Sequence, residues 1–203
     1  MEVSRRYRNL CVVIICAMNF SATFNALRLL YNPKLCMPHT IVPTFNQLPV
    51  PIQPGIKAVV LDKDNCFAYP HKDEVWHKYK EKWEELKQCY PDAALLIVSN
   101  SSGSNDDPGY KQAELLEMNT GVPVLRHSAK KPGCHEEIFS YFHQKKIITK
   151  PSEIAIVGDR LFTDVMMANM MGSYSVWVRD GVIKSNNLFS KFEKSLYDFL
   201  KSQ

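Results

Sequence analysis

No aspartate or glutamate occurs between Val3 and Leu61. That stretch carries Arg5, Arg6, Arg8, Arg28, Lys34 and Lys57, whereas the rest of the chain mixes both signs, for a net charge of +4. A basic segment ahead of a mixed body points to an import signal, an anionic membrane surface or nucleic acid. No cluster of basic and aromatic residues accompanies it, so no nucleic-acid partner is expected. The six cysteines (Cys11, Cys16, Cys36, Cys66, Cys89 and Cys134) include no C-x-x-C pair, which removes the usual spacing of a zinc site. An even count allows disulfides in a secreted chain. Reduced thiols are expected instead, because Cys66 falls inside the reactive motif below. Internal repeats and low-complexity runs are absent, and twelve prolines with eight glycines give no collagen or linker signal.

The basic start runs into an unbroken apolar stretch of nine residues, Leu10 to Met18. A bilayer span needs about 20. Length and flanks resemble a secretory signal, although no clear cleavage site follows, and an Arg-rich, acid-free start also suits a mitochondrial one. Residues 1–19 are therefore expected to be a targeting or unstructured segment. Next, Phe20, Phe24, Leu27 and Tyr31 recur at the spacing of one helical face, with Ser21 as a possible cap. Such a helix lies in a membrane interface or packs on its own domain; both readings stand. Asn32-Pro33 ends it, and the five prolines between Pro38 and Pro54 predict an extended, poorly regular connector, giving a 20–55 unit.

From residue 56 to 203 the pattern alternates. Buried strands are expected at Lys57–Leu61, Leu95–Val98, Val122–Leu125, Ile154–Val157 and Ser175–Val178. Helices are expected at Asp73–Gln88, Pro108–Asn119, Gly133–Gln144, Leu161–Met171 and Leu188–Leu200. This alternation implies an α/β, Rossmann-like parallel sheet with helices on both faces. In such a sheet the reactive groups lie beyond the carboxyl ends of the strands.

Polar clusters fall at those ends. Asp62-Lys63-Asp64-Asn65 follows the first strand, Ser99-Asn100-Ser101 the second, Lys130-Lys131-Pro132 the loop after the third, and Gly158-Asp159-Arg160 with Thr163-Asp164 the fourth. Carboxylates from two strand ends repel one another unless a cation sits between them. Oxygen-only ligands select a hard ion such as Mg²⁺, which also binds substrate phosphate. The Ser99 hydroxyl and nearby amides suit phosphate oxygens, and a lysine would neutralise charge on a transferring phosphoryl group. An Asp held there can attack phosphorus, and a second two residues on can protonate the leaving oxygen and then activate water. Alone, D-x-D is a turn after a strand, Ser-Asn a loop and a lysine a solvated side chain; their shared order makes the pattern specific. Receiver domains use similar residue types, but with an acid pair after strand one, a lone Asp after strand three and the lysine after strand five.

D-x-D, then Ser, then Lys-Pro, then G-D-x-x-x-x-D resembles the haloacid dehalogenase superfamily of phosphatases. The resemblance implies Asp62 as nucleophile and metal ligand, and Asp64 as acid/base with a backbone oxygen on Mg²⁺. It implies Ser99, beside Asn100, on phosphate. It makes Lys131 the catalytic lysine, with Lys130 open as an alternative, and Asp159 a Mg²⁺ ligand supported or joined by Asp164. The segments RLLYNP (28–33), VPTFN (42–46), VVLDKDNC (59–66), LLIVSN (95–100), VLRHSAKKPGC (124–134) and IVGDRLFTD (156–164) together resemble the mitochondrial phosphatidylglycerophosphate phosphatases of fungi and their plant and bacterial relatives. That likeness implies a phospholipid substrate, a step toward cardiolipin and the matrix side of the mitochondrial inner membrane.

Two features fit a lipid. Only 34 residues separate Asp64 from Ser99 and 31 separate Ser99 from Lys131, which leaves no room for a large cap domain over the site. The acid-free N-terminal segment suits an anionic lipid surface. Arg126, His127 and Lys130 are candidates for a second phosphate, with a structural hydrogen bond the other reading of His127. The remaining alternatives are a phosphatase for a soluble or nucleic-acid phosphomonoester and a non-catalytic membrane-associated scaffold.

Overall fold

The computed structural model describes residues 32–184 and 188–201. The apolar run at 10–18 and the amphipathic helix expected over 21–31 lie outside them.

Five parallel strands form one sheet: β1 (Thr40–Val42), β2 (Ala58–Leu61), β3 (Leu95–Ile97), β4 (Ile154–Gly158) and β5 (Tyr174–Val178), in the order β1-β5-β4-β2-β3. The register pairs Leu61 with Val157 and with Ile97, and Gly158 with Trp177. Every residue of β2, β3 and β4 is buried, as continuous apolar runs in a two-faced parallel sheet require. Alternate side chains serve the two faces. Val59, Leu61, Leu95, Ile97 and Val157 pack with Trp83 and Leu86 of α1 (Lys80–Cys89) and Ala113 and Leu116 of α2 (Lys111–Thr120). Ala58, Val60, Leu96, Ile154 and Ile156 pack with Ile138 and Phe142 of α3 (His135–Gln144) and Met167 and Ala168 of α4 (Met166–Met171). The last helix, α5 (Leu188–Lys201), lays Phe192, Leu196 and Tyr197 over Trp177 and Phe162. This is the expected α/β sheet with helices on both faces.

Two strand expectations are corrected. The segment 122–125 contributes a single parallel bridge, Ile97 to Val124, rather than a strand. Pro123 has no N–H to give, so its carbonyl accepts from Ile97 and the ladder stops after Leu125 donates back. The fifth strand comes instead from the proline-rich stretch expected to be irregular: Thr40–Val42 pairs with Val176–Val178. Three residues ended by Pro43 form an edge strand, where a missing donor is tolerated. Phe45, Leu48 and Ile52 then carry the chain through the core. Phe45 meets the rings of Tyr79, Trp83 and Phe67. The helix expected from Asp73 starts later, in a tight turn at His77–Tyr79. Tertiary bonds hold the residues before it out of the helix: Lys63 Nζ reaches Asp73 at 3.1 Å and the Trp76 amide donates to the Phe67 carbonyl.

Because 40–54 is core rather than tether, Phe45→Ala is expected to cost about 3–5 kcal/mol in denaturant unfolding, the range for a buried Phe truncation. A loss below about 1 kcal/mol would show the segment to be a detachable linker.

Candidate active site

Each strand of the central trio ends in a reactive residue at the same edge. Asp62 follows β2, and its amide donates to the Val157 carbonyl of β4, which ties the two strand ends together. Ser99 follows β3, Asp159 follows β4, and Lys131 enters from the loop before α3. Asp62, Asp159 and Asp164 each bring a carboxylate oxygen within 4.8 Å of the others. Lys131 Nζ contacts Asp62 Oδ1 and donates to Asp164 Oδ1 at 2.7 Å, with both partners buried.

Three acids therefore cluster around one ammonium that bonds two of them, at the largely buried floor of the site. Burial, then repulsion from Asp164 and Asp64, lifts Asp62 to about 7 against the pull of Lys131. Burial, Asp62 and Asp164 hold the Asp159 carboxyl well above the ordinary carboxylate range. Burial works against the Lys131 charge, but Asp164 and Asp62 outweigh it, and the lysine stays protonated at any physiological pH. An all-oxygen set carrying this excess of negative charge fits a hard divalent cation.

Local sequence explains the crowding. Gly158 lies so close to Asp164 that a Cβ would overlap the carboxylate, hence the glycine in G-D-x-x-x-x-D. Asp164 sits in a π-helical turn, Leu161–Val165, and accepts from the Arg160 amide and the Thr163 hydroxyl, both at 3.2 Å. Asp64 turns the other way. It accepts from the His71 amide at 2.8 Å and the Ser101 hydroxyl at 2.9 Å. Ser101 also bonds Ser99 Oγ at 3.0 Å, joining the residue expected on phosphate to the one expected to move a proton. Asn100 Oδ1 accepts from the Lys131 amide at 2.8 Å and so fixes the lysine loop.

An open cavity of about 830 Å³ covers this edge, lined by Asp62, Asp64, Ser99, Lys131 and Asp159 among others. Lys130 lines it too, paired with Asp106 at 2.5 Å. Arg126 and His127 do not. Arg126 is bound to Glu117 and to the Val124 carbonyl. Buried His127 bridges the Ala129 and Ser99 carbonyls at 2.7 and 3.0 Å. In this structure His127 supports the Ser99 and lysine loops, while Arg126 is held against Glu117, so neither expected phosphate ligand is brought to the cavity lining.

Comparison with known proteins agrees with the resemblance carried by the sequence segments between residues 28 and 164. The family model described as Mitochondrial PGP phosphatase matches residues 20–183. The chain belongs to this family. It is 64% identical over 183 residues to a Saccharomyces cerevisiae protein named as a mitochondrial phosphatidylglycerophosphatase, spanning 90% of this chain and 99% of that one. A Schizosaccharomyces pombe relative, named "Probable phosphatidylglycerophosphatase, mitochondrial", is 35% identical over 185 residues, 85% of this chain and 88% of its own. An Arabidopsis thaliana phosphatidylglycerophosphate phosphatase is 36% identical over 124 residues, 60% of this chain and 34% of its own.

In this family member the structure adds two residues that sequence reasoning left without a role. Asn65, at φ 60°, donates from Nδ2 to Asp159 at 3.1 Å and accepts from the Ile183 amide at 3.0 Å. Glu193 of α5 is buried and accepts from Arg160 Nε at 3.0 Å and the Phe162 amide at 3.1 Å, pinning the loop between Asp159 and Asp164. Asn65 was visible inside DKDN; nothing local marks Glu193.

The raised acids set a pH signature. A carboxyl whose folded pKa exceeds its unfolded value keeps its proton only in the native state. Stability therefore falls as pH rises from the ordinary 3.8 to about 7, and the full penalty applies above that. A divalent cation held by Asp62, Asp159 and Asp164 would offset the penalty. Mg²⁺ is expected to raise the unfolding midpoint more at pH 8 than at pH 5, and Asp159→Asn to remove most of that gain. An equal gain at both pH values in scanning calorimetry would contradict this account.

Proposed function

We propose that this protein hydrolyses phosphatidylglycerophosphate to phosphatidylglycerol and phosphate through an aspartyl phosphate, at the matrix side of the mitochondrial inner membrane, as a Mg²⁺-dependent haloacid dehalogenase-type phosphatase. The observation that carries the chemistry is Asp62 on Lys131, within reach of two further acids, at the floor of a cavity open to solvent. The relatives' names and the matched family support the lipid substrate.

In the first half-reaction an Asp62 oxygen attacks phosphorus, and the bond from phosphorus to the glycerol oxygen breaks. Asp64, held beside the cavity by Ser101 and His71, gives that oxygen a proton, so the lipid leaves as an alcohol. Lys131 neutralises charge on the equatorial oxygens, with Ser99 and Asn100 at the phosphate-binding loop. In the second half-reaction the Asp64 carboxylate takes a proton from water, whose oxygen attacks phosphorus and frees Asp62. Asp62, Asp159, Asp164 and the Asp64 backbone oxygen would hold Mg²⁺, which supplies charge neutralisation for the phosphoryl oxygens when bound.

At the membrane, residues 1–19 would serve as the targeting segment and the helix expected over 21–31 as an interfacial contact on anionic lipid. Among the described residues no helix is long and apolar enough to cross a bilayer. The lipid surface is the partner, and the described fold gives the 56–203 catalytic unit its edge strand from the segment before it.

Phosphate release from phosphatidylglycerophosphate in vesicles with Mg²⁺ is expected for the wild type and to fall at least about 10³-fold in Asp62→Asn, the scale of losing a nucleophile. Wild-type protein that cleaves small esters but not the lipid would sink the substrate assignment. Deleting residues 20–31 is expected to abolish release from vesicles while small-ester cleavage persists. The deletion must stop before Asn32, since Cys36 packs beside Trp177 and Asn169 bonds the Leu35 carbonyl. Equal vesicle activity with and without 20–31 would remove that helix from the membrane contact.

A further inference from the structure

The substrate class just proposed presents two anions: the phosphomonoester that reacts and a phosphodiester one glycerol unit away. The floor of the cavity accounts for the first. Most cations lining the cavity are already engaged with acids. Lys131 is shared by Asp62 and Asp164, Lys130 pairs with Asp106, and Arg160 bonds Glu193. Lys184 also lines the cavity, is exposed, and has no hydrogen bond or ion pair to any described residue.

Its position is not left to a free loop. The segment 181–183 is docked on the catalytic turn through Asn65. The Val182 amide donates to the Asn65 carbonyl at 3.1 Å and the Ile183 amide to Asn65 Oδ1 at 3.0 Å. Gly181, at φ 66°, packs so closely that a Cβ would overlap the Asn65 side chain, and its carbonyl accepts from Tyr79 Oη at 3.2 Å. The same Asn65 side chain donates to Asp159. The rim that carries Lys184 is therefore set in register with the acids that would hold the reacting phosphate.

Exposed apolar side chains occur on the same stretch of chain as the lysine. Ile183 is 40% exposed on the cavity lining, and Leu188, two residues before the lining residue Ser190, is 83% exposed. A cation set among exposed apolar side chains matches the level of a bilayer where phosphodiesters meet acyl chains.

We infer that Lys184 is the phosphodiester-binding residue of this site and selects substrates that carry a second, diester phosphate beside the reacting monoester. The inference rests on the lipid reading of the site. It places the second phosphate at the 181–184 rim, away from Arg126 and His127.

The test uses soluble substrates, which removes membrane binding from the comparison. The full chain is assayed with Mg²⁺ on the deacylated headgroup, glycerophosphoglycerophosphate, and on glycerol 3-phosphate, which lacks the diester. Wild type should prefer the headgroup in kcat/KM. In Lys184→Ala the ratio of the two kcat/KM values should fall about tenfold, mainly through KM, the scale of one charge-assisted hydrogen bond to phosphate. Lys184→Arg should keep most of the ratio. A Lys184→Ala ratio within about twofold of wild type would overturn the subsite while leaving the lipid reading intact. A wild type that cleaves glycerol 3-phosphate with no preference for the headgroup would overturn the lipid reading, and the subsite with it.

Discussion

The structure is organised around the contact between one buried ammonium and a set of carboxylates that repel each other. Asp62, Asp159 and Asp164 reach within 4.8 Å of one another because the ends of β2 and β4 and the π-helical turn after β4 converge on the same edge. Lys131 offsets part of that repulsion by bonding two of the three. The remainder shows as raised carboxyl pKa values, and a divalent cation bound there would be held by that excess negative charge. Neighbouring β2 and β4 at the centre of the sheet place Asp62 beside the other two acids, and the bond from Asp62 N–H to Val157 fixes their spacing.

Much of the surrounding polar structure holds this arrangement still. Asn65 ties the catalytic turn to Asp159 and to the cavity rim. Ser101 couples the phosphate loop to Asp64. His127 and Asn100 brace the loops that deliver Ser99 and Lys131, and Glu193 reaches in from the last helix to anchor the turn carrying Asp164. Gly158 shows the same constraint negatively, since any side chain there would displace a carboxylate. These contacts are preorganisation: they set the positions of charges before substrate arrives, which is where most electrostatic catalysis originates.

The central strands, the helices on both faces and the four polar clusters were legible because each rests on a local pattern. Buried parallel strands read as short β-branched runs, and the helices alternate with them at regular intervals. What escaped local reading depended on distant partners. Thr40–Val42 is three residues amid prolines, and it is a strand only because Val176–Val178 offers an open edge. Val122–Leu125 looks like a strand and is not, since Pro123 breaks its ladder. Arg126 is a phosphate candidate from sequence proximity alone, and Glu117 of α2, nine residues earlier, pairs with it. Glu193 sits among unremarkable helix residues, and its burial against Arg160 follows only from how α5 docks.

The open cavity, the docked rim at 181–184 and the absence of room for a cap fit a catalyst that meets its substrate at a surface. In the proposed mechanism Asp62 becomes bonded to phosphorus during turnover. Quenching the enzyme with acid during lipid hydrolysis and reducing it with borohydride converts an aspartyl phosphate to homoserine, which peptide mass spectrometry locates. Homoserine at position 62, absent without substrate, is the predicted result. Homoserine at another aspartate, or none under conditions of full turnover, would contradict the account.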